Sequence, residues 1–369
     1  MPYEGIDRGR VRMQPLAARE NKVFIEQDHV PADASPEELP EQSTGLILEA
    51  AERIRAARSA GRPVILAFGA HTIKNGLGPV LIALMERGWL THLATNGAGI
   101  IHDWELSYQG KTSEDVRRYV AEGQFGNWEE TGRYINLALN VGAWRGMGYG
   151  ESVGAFIQDD GVELPERAAL VATIREQAER DPAAAAAAAD LLGVSQRFDL
   201  PAGRLEVPHA WKQFGVQAAA YRLGIPFTGH PMYGHDIIYN HPMNHGASLG
   251  RCAERDFLTY AQGVSGLTDG VYLSVGSAVM SPMIFEKSMS MSQNLALQAG
   301  ESIARHYIFV VDLQASRWDW RRGEPPADNP DYYLRFNKTF NRMGGDLRYL
   351  CADNRNFFLA LAQELGERA

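Results

Sequence analysis

The sequence predicts an α/β fold: a doubly wound, mostly parallel sheet with helices on both faces. Two observations lead there. Apolar runs of strand length alternate with helix-length runs, and each strand run closes on a polar turn rich in glycine or small residues. The strand runs are also continuously apolar rather than alternating, as strands covered on both faces must be.

Residues 1–43 are expected to form an N-terminal surface arm and linker. The first twenty are Arg-rich and weakly patterned, and His29 to Ser43 is rich in proline, serine and acids. A helix is expected from Thr44 to Ser59, closed by Gly61. Pro63 to Phe68 (P-V-I-L-A-F) is the first strand, and G-A-H-T-I-K-N-G is its turn. The helix L-G-P-V-L-I-A-L-M-E-R-G then ends at Gly88. W-L-T-H-L-A-T is the second strand, closing on N-G-A-G-I-I-H-D. Strand, turn, helix, strand is the grammar of a βαβ unit.

The second half repeats this alternation. A helix is expected around Trp211 to Leu223, strands in G-I-P-F-T-G and G-V-Y-L-S-V-G-S-A-V, and a helix near Ser288 to Ala304. Strands follow in Y-I-F-V-V-D-L and L-R-Y-L-C-A-D. The alanine-rich stretch within 164–192 reads as a solvent-side helical insertion, because alanine is the best helix former. Residues 44–369 are thus expected to be one domain carrying that insertion.

A net charge of -9 makes a nucleic-acid backbone an unsuitable partner and suits small cations better. Cys252 and Cys351 form no spaced pattern. The start of the chain has no secretory apolar core and no run is long enough to cross a bilayer, so a reduced cytoplasm is expected.

Ligands of parallel sheets bind at the carboxyl ends of the strands. That rule selects Gly69–Gly76, Thr95–Asp103, Gly229–His245, Gly276–Pro282 and Ala352–Asn356. Backbone N–H groups at such turns can approach a diphosphate, although none is a G-x-G-x-x-G fingerprint. The string Gly146, Gly148, Gly150 follows no strand and reads as a loop. Four histidines and Asp236 crowd G-H-P-M-Y-G-H-D-I-I-Y-N-H-P-M-N-H-G, but at irregular spacing, so pocket lining is favoured over a metal centre. His102 and Asp103 are an acid–base candidate, with helix capping by Asp103 as the alternative. No G-x-S-x-G elbow is present.

The order of these motifs resembles deoxyhypusine synthase. G-A-H-T-I-K-N-G is similar to the family's Ser-Asn-rich first turn and T-N-G-A-G-I-I-H-D to its T-A-G-G-I-E-E-D. P-M-Y-G-H-D-I is similar to P-x-x-x-D-G-S and G-S-A-V to G-G-G-V. P-D-Y-Y-L-R-F-N-K, Pro330 to Lys338, lines up without a gap on P-D-E-A-V-S-W-G-K, and Y-L-C-A-D-N on the family's V-Y-A-D-A-S strand end.

The resemblance implies a Rossmann-like NAD-binding fold and an aminoalkyl transfer from a polyamine-like amine through an imine on Lys338, with His102 and Asp103 as further catalytic candidates. It places NAD against Ala70, His71, Lys74, Asn96, Gly97, Ala98, Gly276, Ser277, Asp353 and Asn354. It places substrate against His235, Asp236, Tyr332 and Phe336, and implies a homodimer or homotetramer with sites at the subunit interface. Phe336 and Phe340 are expected to desolvate Lys338 and favour its neutral amine. Tyr332, Ile101, His102 and Ser281–Met283 stand where the family has acids or Lys-His-His, so a different amine substrate is expected. The alternatives are an NAD-binding scaffold without turnover and a His-rich metal enzyme.

Overall fold

The structure, a computed structural model, describes residues 3–367. They divide into two compact units, each assembled from three segments of chain.

One unit (28–99, 220–230 and 256–369) is built on a six-stranded, wholly parallel sheet. Its strands are β1 (Val64–Phe68), β2 (His92–Asn96), β3 (Phe227–His230), β4 (Val271–Val275), β5 (Tyr307–Asp312) and β6 (Asp346–Cys351). Across the sheet they run β3-β2-β1-β4-β5-β6. Both faces are covered, so β1 and β4 are buried at every position. The expected doubly wound α/β architecture is therefore present.

The helices used below are α1 (Glu41–Ser59), α2 (Gly78–Glu86), α3 (Gly97–Gln109), α4 (Gly246–Ser265), α5 (Met280–Gln298), α6 (Arg335–Arg342) and α7 (Asn354–Glu367). One sheet face contributes Ile65, Ala67, Ala94, Tyr272, Ile308, Val310 and Leu347 to a core that also holds Tyr260 and Val264 of α4, Phe285 and Met289 of α5, and Phe340 of α6. The packing of α1 against α7, by contrast, engages no residue of that core.

The other unit (3–27, 100–219 and 231–255 of the described residues) is mainly helical, with helices Glu129–Arg145, Tyr149–Gln158, Arg167–Gln177 and Pro182–Arg197 and two short antiparallel strand pairs, Val23–Phe24 with Lys111–Thr112 and Gly161–Leu164 with Gly203–Glu206. Three expectations change here. The glycine string 146–150 is a helix junction: Gly146 ends one helix in the left-handed region, at φ 81°, and Gly148 precedes the next. The alanine-rich helix is not simply solvent-side, because Ala185, Ala187, Ala188 and Leu191 are buried along one stripe. The N-terminal segment is not a surface arm either. Leu16 and Arg19 are buried, and the Arg19 guanidinium makes a two-pronged ion pair with Glu105 at 2.8 and 2.6 Å. Burial alone would raise the Glu105 carboxyl, but Arg19, His102 and the Thr112 hydroxyl together outweigh it and hold Glu105 below its ordinary value.

Candidate functional site at the carboxyl edge of the sheet

The strand order reverses between β1 and β4, and the chain narrows there to bare backbone. The Gly69 N–H donates to Val275 O at 3.0 Å, and the Gly276 N–H donates to Val311 O at 2.9 Å. A Cβ on Gly69 would stand 2.0 Å from Gly276 O, and Gly276 itself has φ +58°. Glycine at Gly69 is thus set by the close approach of two strand ends. After Gly69 the chain makes one helical turn, His71–Lys74, before α2. His71 is exposed, and partial burial followed by the Lys74 charge lowers its pKa. Asn75 Nδ2 donates to Asn354 Oδ1 at 2.8 Å, and Asn354 Nδ2 reaches Thr72 Oγ1 at 3.4 Å, tying the turn after β1 to the turn after β6.

At the end of β2, Asn96 Oδ1 accepts the Gly99 N–H at 2.9 Å and so caps α3. A Cβ on Gly99 would meet Thr95 Oγ1 at 2.2 Å, so this glycine lets helix and strand touch. After β4, Ser277 Oγ accepts the Ser281 N–H at 3.2 Å in the first turn of α5. After β6, Asp353 accepts the Asn356 N–H at 2.9 Å and its side-chain amide at 2.8 Å, capping α7. The structure thus gathers Ala70, His71, Lys74, Asn96, Gly97, Ala98, Gly276, Ser277, Asp353 and Asn354 along one edge of one sheet.

The remaining candidates fall in different surroundings. Lys338 lies on α6, its side chain 12% exposed, with Nζ 3.3 Å above the Tyr332 ring centre and 3.7 Å from Glu324 Oε2. The neighbours of Nζ are thus a tyrosine ring and a carboxylate, not the rings of Phe336 and Phe340 that were expected to flank it. Phe336 packs toward Tyr349, with ring centres 6.3 Å apart, and Phe340 is in the core. His102, Asp103, His235 and Asp236 belong to the helical unit. Asp103 is buried, and its oxygens accept the Val216 N–H (2.9 Å), the Gln217 N–H (3.0 Å) and the Gln217 side-chain amide (3.0 Å). The capping alternative describes it, although the helix capped is Val216–Leu223 rather than its own. His102 Nδ1 sits 2.7 Å from Thr112 Oγ1. Asp236 accepts the Tyr239 hydroxyl at 3.0 Å, and burial pushes its pKa up to about 6.

Three histidines of the Gly229–His245 stretch are held separately, and His235 is exposed. His241 Nε2 lies 3.2 Å from Glu129 Oε2, His245 Nδ1 lies 3.2 Å from Ser248 Oγ, and His230 belongs to β3. Among the described residues no group of three His, Cys, Asp or Glu side chains is arranged to hold a metal.

One feature escaped sequence reasoning. Under β2 and β3, Thr228 Oγ1 lies 3.2 Å from His92 Nε2 and 2.9 Å from His230 Nε2, and Tyr260 sets its ring edge-on to both imidazoles. Burial lowers His92 to about 4 and His230 to about 3. Beside them, the Tyr260 hydroxyl donates to Tyr272 at 2.9 Å, and Tyr272 lies 2.8 Å from Ser281 Oγ. The signal was a histidine inside each of two strand runs, His92 opening H-L-A-T-N and His230 closing F-T-G-H two positions after Thr228.

No family model matches the sequence, and no curated protein does. Among solved structures, the chain is similar to ArgZ, an arginine dihydrolase of the ornithine–ammonia cycle in Cyanobacteria, at 15% identity and a TM-score of 0.42, over 88% of this chain and 33% of that one. AgrE in complex with ornithine and NAD+ gives 15% and 0.43, over 89% and 34%. A conserved LOR/SDH protein from Methanococcus maripaludis S2 gives 12% and 0.41, over 96% and 76%. The chain spans about a third of the length of ArgZ and AgrE. These proteins are not deoxyhypusine synthases, and the family assignment drawn from motif order is corrected accordingly. The physical reason is that short Gly, Asn and Asp turns recur wherever parallel strands end. Among the described residues no helix is long and apolar enough to cross a membrane.

Proposed function

We propose that the chain is an NAD-dependent enzyme, with NAD held at the carboxyl edge where the strand order reverses. The observation that carries this is the sheet order β3-β2-β1-β4-β5-β6, which is the order of dinucleotide-binding sheets. The residues fit the cofactor in kind. The turn after β1 is free of bulky side chains at Gly69, where a backbone must come close. Lys74, on the following helical turn, carries the charge opposite to that of a diphosphate, and His71 on the same turn offers an imidazole. The end of β2 offers the Asn96 amide where a carboxylate for the ribose is usual, so ribose recognition there rests on an amide.

When bound, NAD supplies a hydride acceptor. The protein's own part is to orient and to exclude water. For the substrate we assign a small amine. Asp312 ends β5, next to β4, half-buried and accepting the Gln314 N–H at 3.0 Å through Oδ1, and an ammonium is the partner such a carboxylate favours.

The test is a thermal melt with NAD in the millimolar range. A ligand that binds only the folded chain stabilises it by about 2.7 kcal/mol at 100 times Kd. An unchanged melting temperature and no dinucleotide retained on purification would sink the reading. Adding small amines and small carboxylates to the NAD-loaded protein then tests the substrate class through nicotinamide absorbance.

A further inference from the structure

The 22-residue stretch between β5 and α6 is long for a connection, and it is built rather than slack. Asp331 Oδ2 accepts the Arg317 and Trp318 N–H groups at 2.9 and 2.8 Å and the Ser316 hydroxyl at 3.1 Å. Trp320 is buried in the core, and Asn341 Nδ2 donates to its carbonyl at 2.9 Å. The Trp318 indole N–H donates to Gly323 O at 2.8 Å, which fixes the ring plane. With α1 and the outer side of β6, this loop walls a cavity of about 640 Å³. That volume lies within the range of small-molecule pockets. The cavity lies beyond the edge strand, two strands away from the reversal between β1 and β4.

Its lining combines rings with guanidinium groups. Trp318 and Tyr349 supply aromatic surface. Arg348 is paired with Glu49, at 3.0 and 3.1 Å from Nε, and Arg321 with Asp319, at 2.8 and 3.1 Å. Arg317 is exposed and has no ion pair among the described residues. Three arginines and two carboxylates line the cavity, and Arg322, 5.5 Å from the centre of the Trp318 ring, and Asp331, on the Arg317 and Trp318 N–H groups, add one charge of each sign, so one positive charge stays uncompensated. A monoanion balances it, whereas a doubly charged phosphate overshoots. Guanidinium matches carboxylate in shape, and an indole face accepts a flat ring.

We propose that this cavity is a binding site for a planar aromatic monocarboxylate, separate from the dinucleotide site. The ring lies against Trp318 and the carboxylate meets Arg317. The site does not depend on the NAD reading.

The experiment is calorimetric titration of the full chain with indole-3-carboxylate, with indole-3-carboxamide as the uncharged isostere and adenosine monophosphate as the phosphate probe. Saturable binding of the carboxylate is expected, with about tenfold or more weaker binding of the carboxamide. Arg317→Gln, a surface change that leaves the fold intact, is expected to weaken the carboxylate by a similar factor and leave the carboxamide unchanged. Trp318→Leu is expected to weaken both. Saturating NAD is expected to leave the carboxylate bound. No saturable binding, equal binding of both indoles, tighter binding of the phosphate, no effect of Arg317→Gln, or displacement by NAD would each overturn the proposal.

Discussion

Lys338 shows how a single side chain is settled by its neighbours rather than by its flanking sequence. Two aromatics beside it in the chain point away, while a third, Tyr332, turns its face to the ammonium. Lys338→Met is expected to cost about 1 kcal/mol in urea unfolding, from the lost cation–π contact and a half-screened ion pair, and Lys338→Arg clearly less. A loss for Lys338→Arg as large as for methionine would show that the ammonium shape itself matters. His92 and His230 make a pH prediction. Their folded pKa values, about 4 and about 3, lie below the ordinary 6.5. From pH 6.5 down toward 4 the unfolded chain takes up protons that the folded chain refuses. Their contribution is therefore complete above 6.5 and falls as pH drops through that window. Asp236 acts oppositely: raised from 3.8 to about 6, it favours the folded state at low pH and loses this as pH rises through that range. The His terms are isolated by comparing wild type with His230→Gln. The fall in urea midpoint from pH 7 to pH 5 is expected to shrink in the variant, and an unchanged fall would contradict the burial assigned to His230.

Elements add constraints that no single residue carries. Gly69→Ala puts a methyl 2.0 Å from a backbone oxygen on a neighbouring strand end that register holds in place. Roughly 1–3 kcal/mol of stability should be lost, with NAD binding weakened in parallel. Gly193→Ala has the opposite expectation. Gly193 lies inside helix Pro182–Arg197 with nothing within 4 Å of the added methyl, so about 0.5–1 kcal/mol should be gained. Comparing the two melting curves checks both. At this scale the sequence was most legible. Mostly apolar runs bounded by glycine located all six strands to within a few residues, most sharply β1 and β4, which are buried at every position. Helix ends were less legible. α5 begins at Met280, not near Ser288, since Pro282 sits harmlessly in its first turn yet reads as a breaker. The carboxyl-edge residues could be listed from strand ends alone. Partners such as Tyr332 for Lys338, or Gln217 for Asp103 (114 positions apart), depend on tertiary placement that spacing does not encode.

Over the whole molecule, the two units interleave: each is stitched from three segments, so no single cut separates them. The fragment 256–369 carries β4, β5 and β6 but lacks β1, against which β4 is paired at five positions. It is expected to show no fixed near-ultraviolet circular dichroism by itself, and a native-like spectrum would mean that half the sheet suffices.

That interleaving has a temporal meaning on the ribosome. Val64 of β1 finds its neighbour in Val271 of β4, 207 positions later. At a synthesis rate of about 5–20 residues per second, β1 waits roughly 10–40 s for the strand that closes its side. Throughout that interval five consecutive apolar residues, V-I-L-A-F, have one edge open to any other strand in reach. The nascent chain is therefore a customer for a holding chaperone. Yield on overexpression should depend more on how fast the chain is made than on how stable the finished protein is.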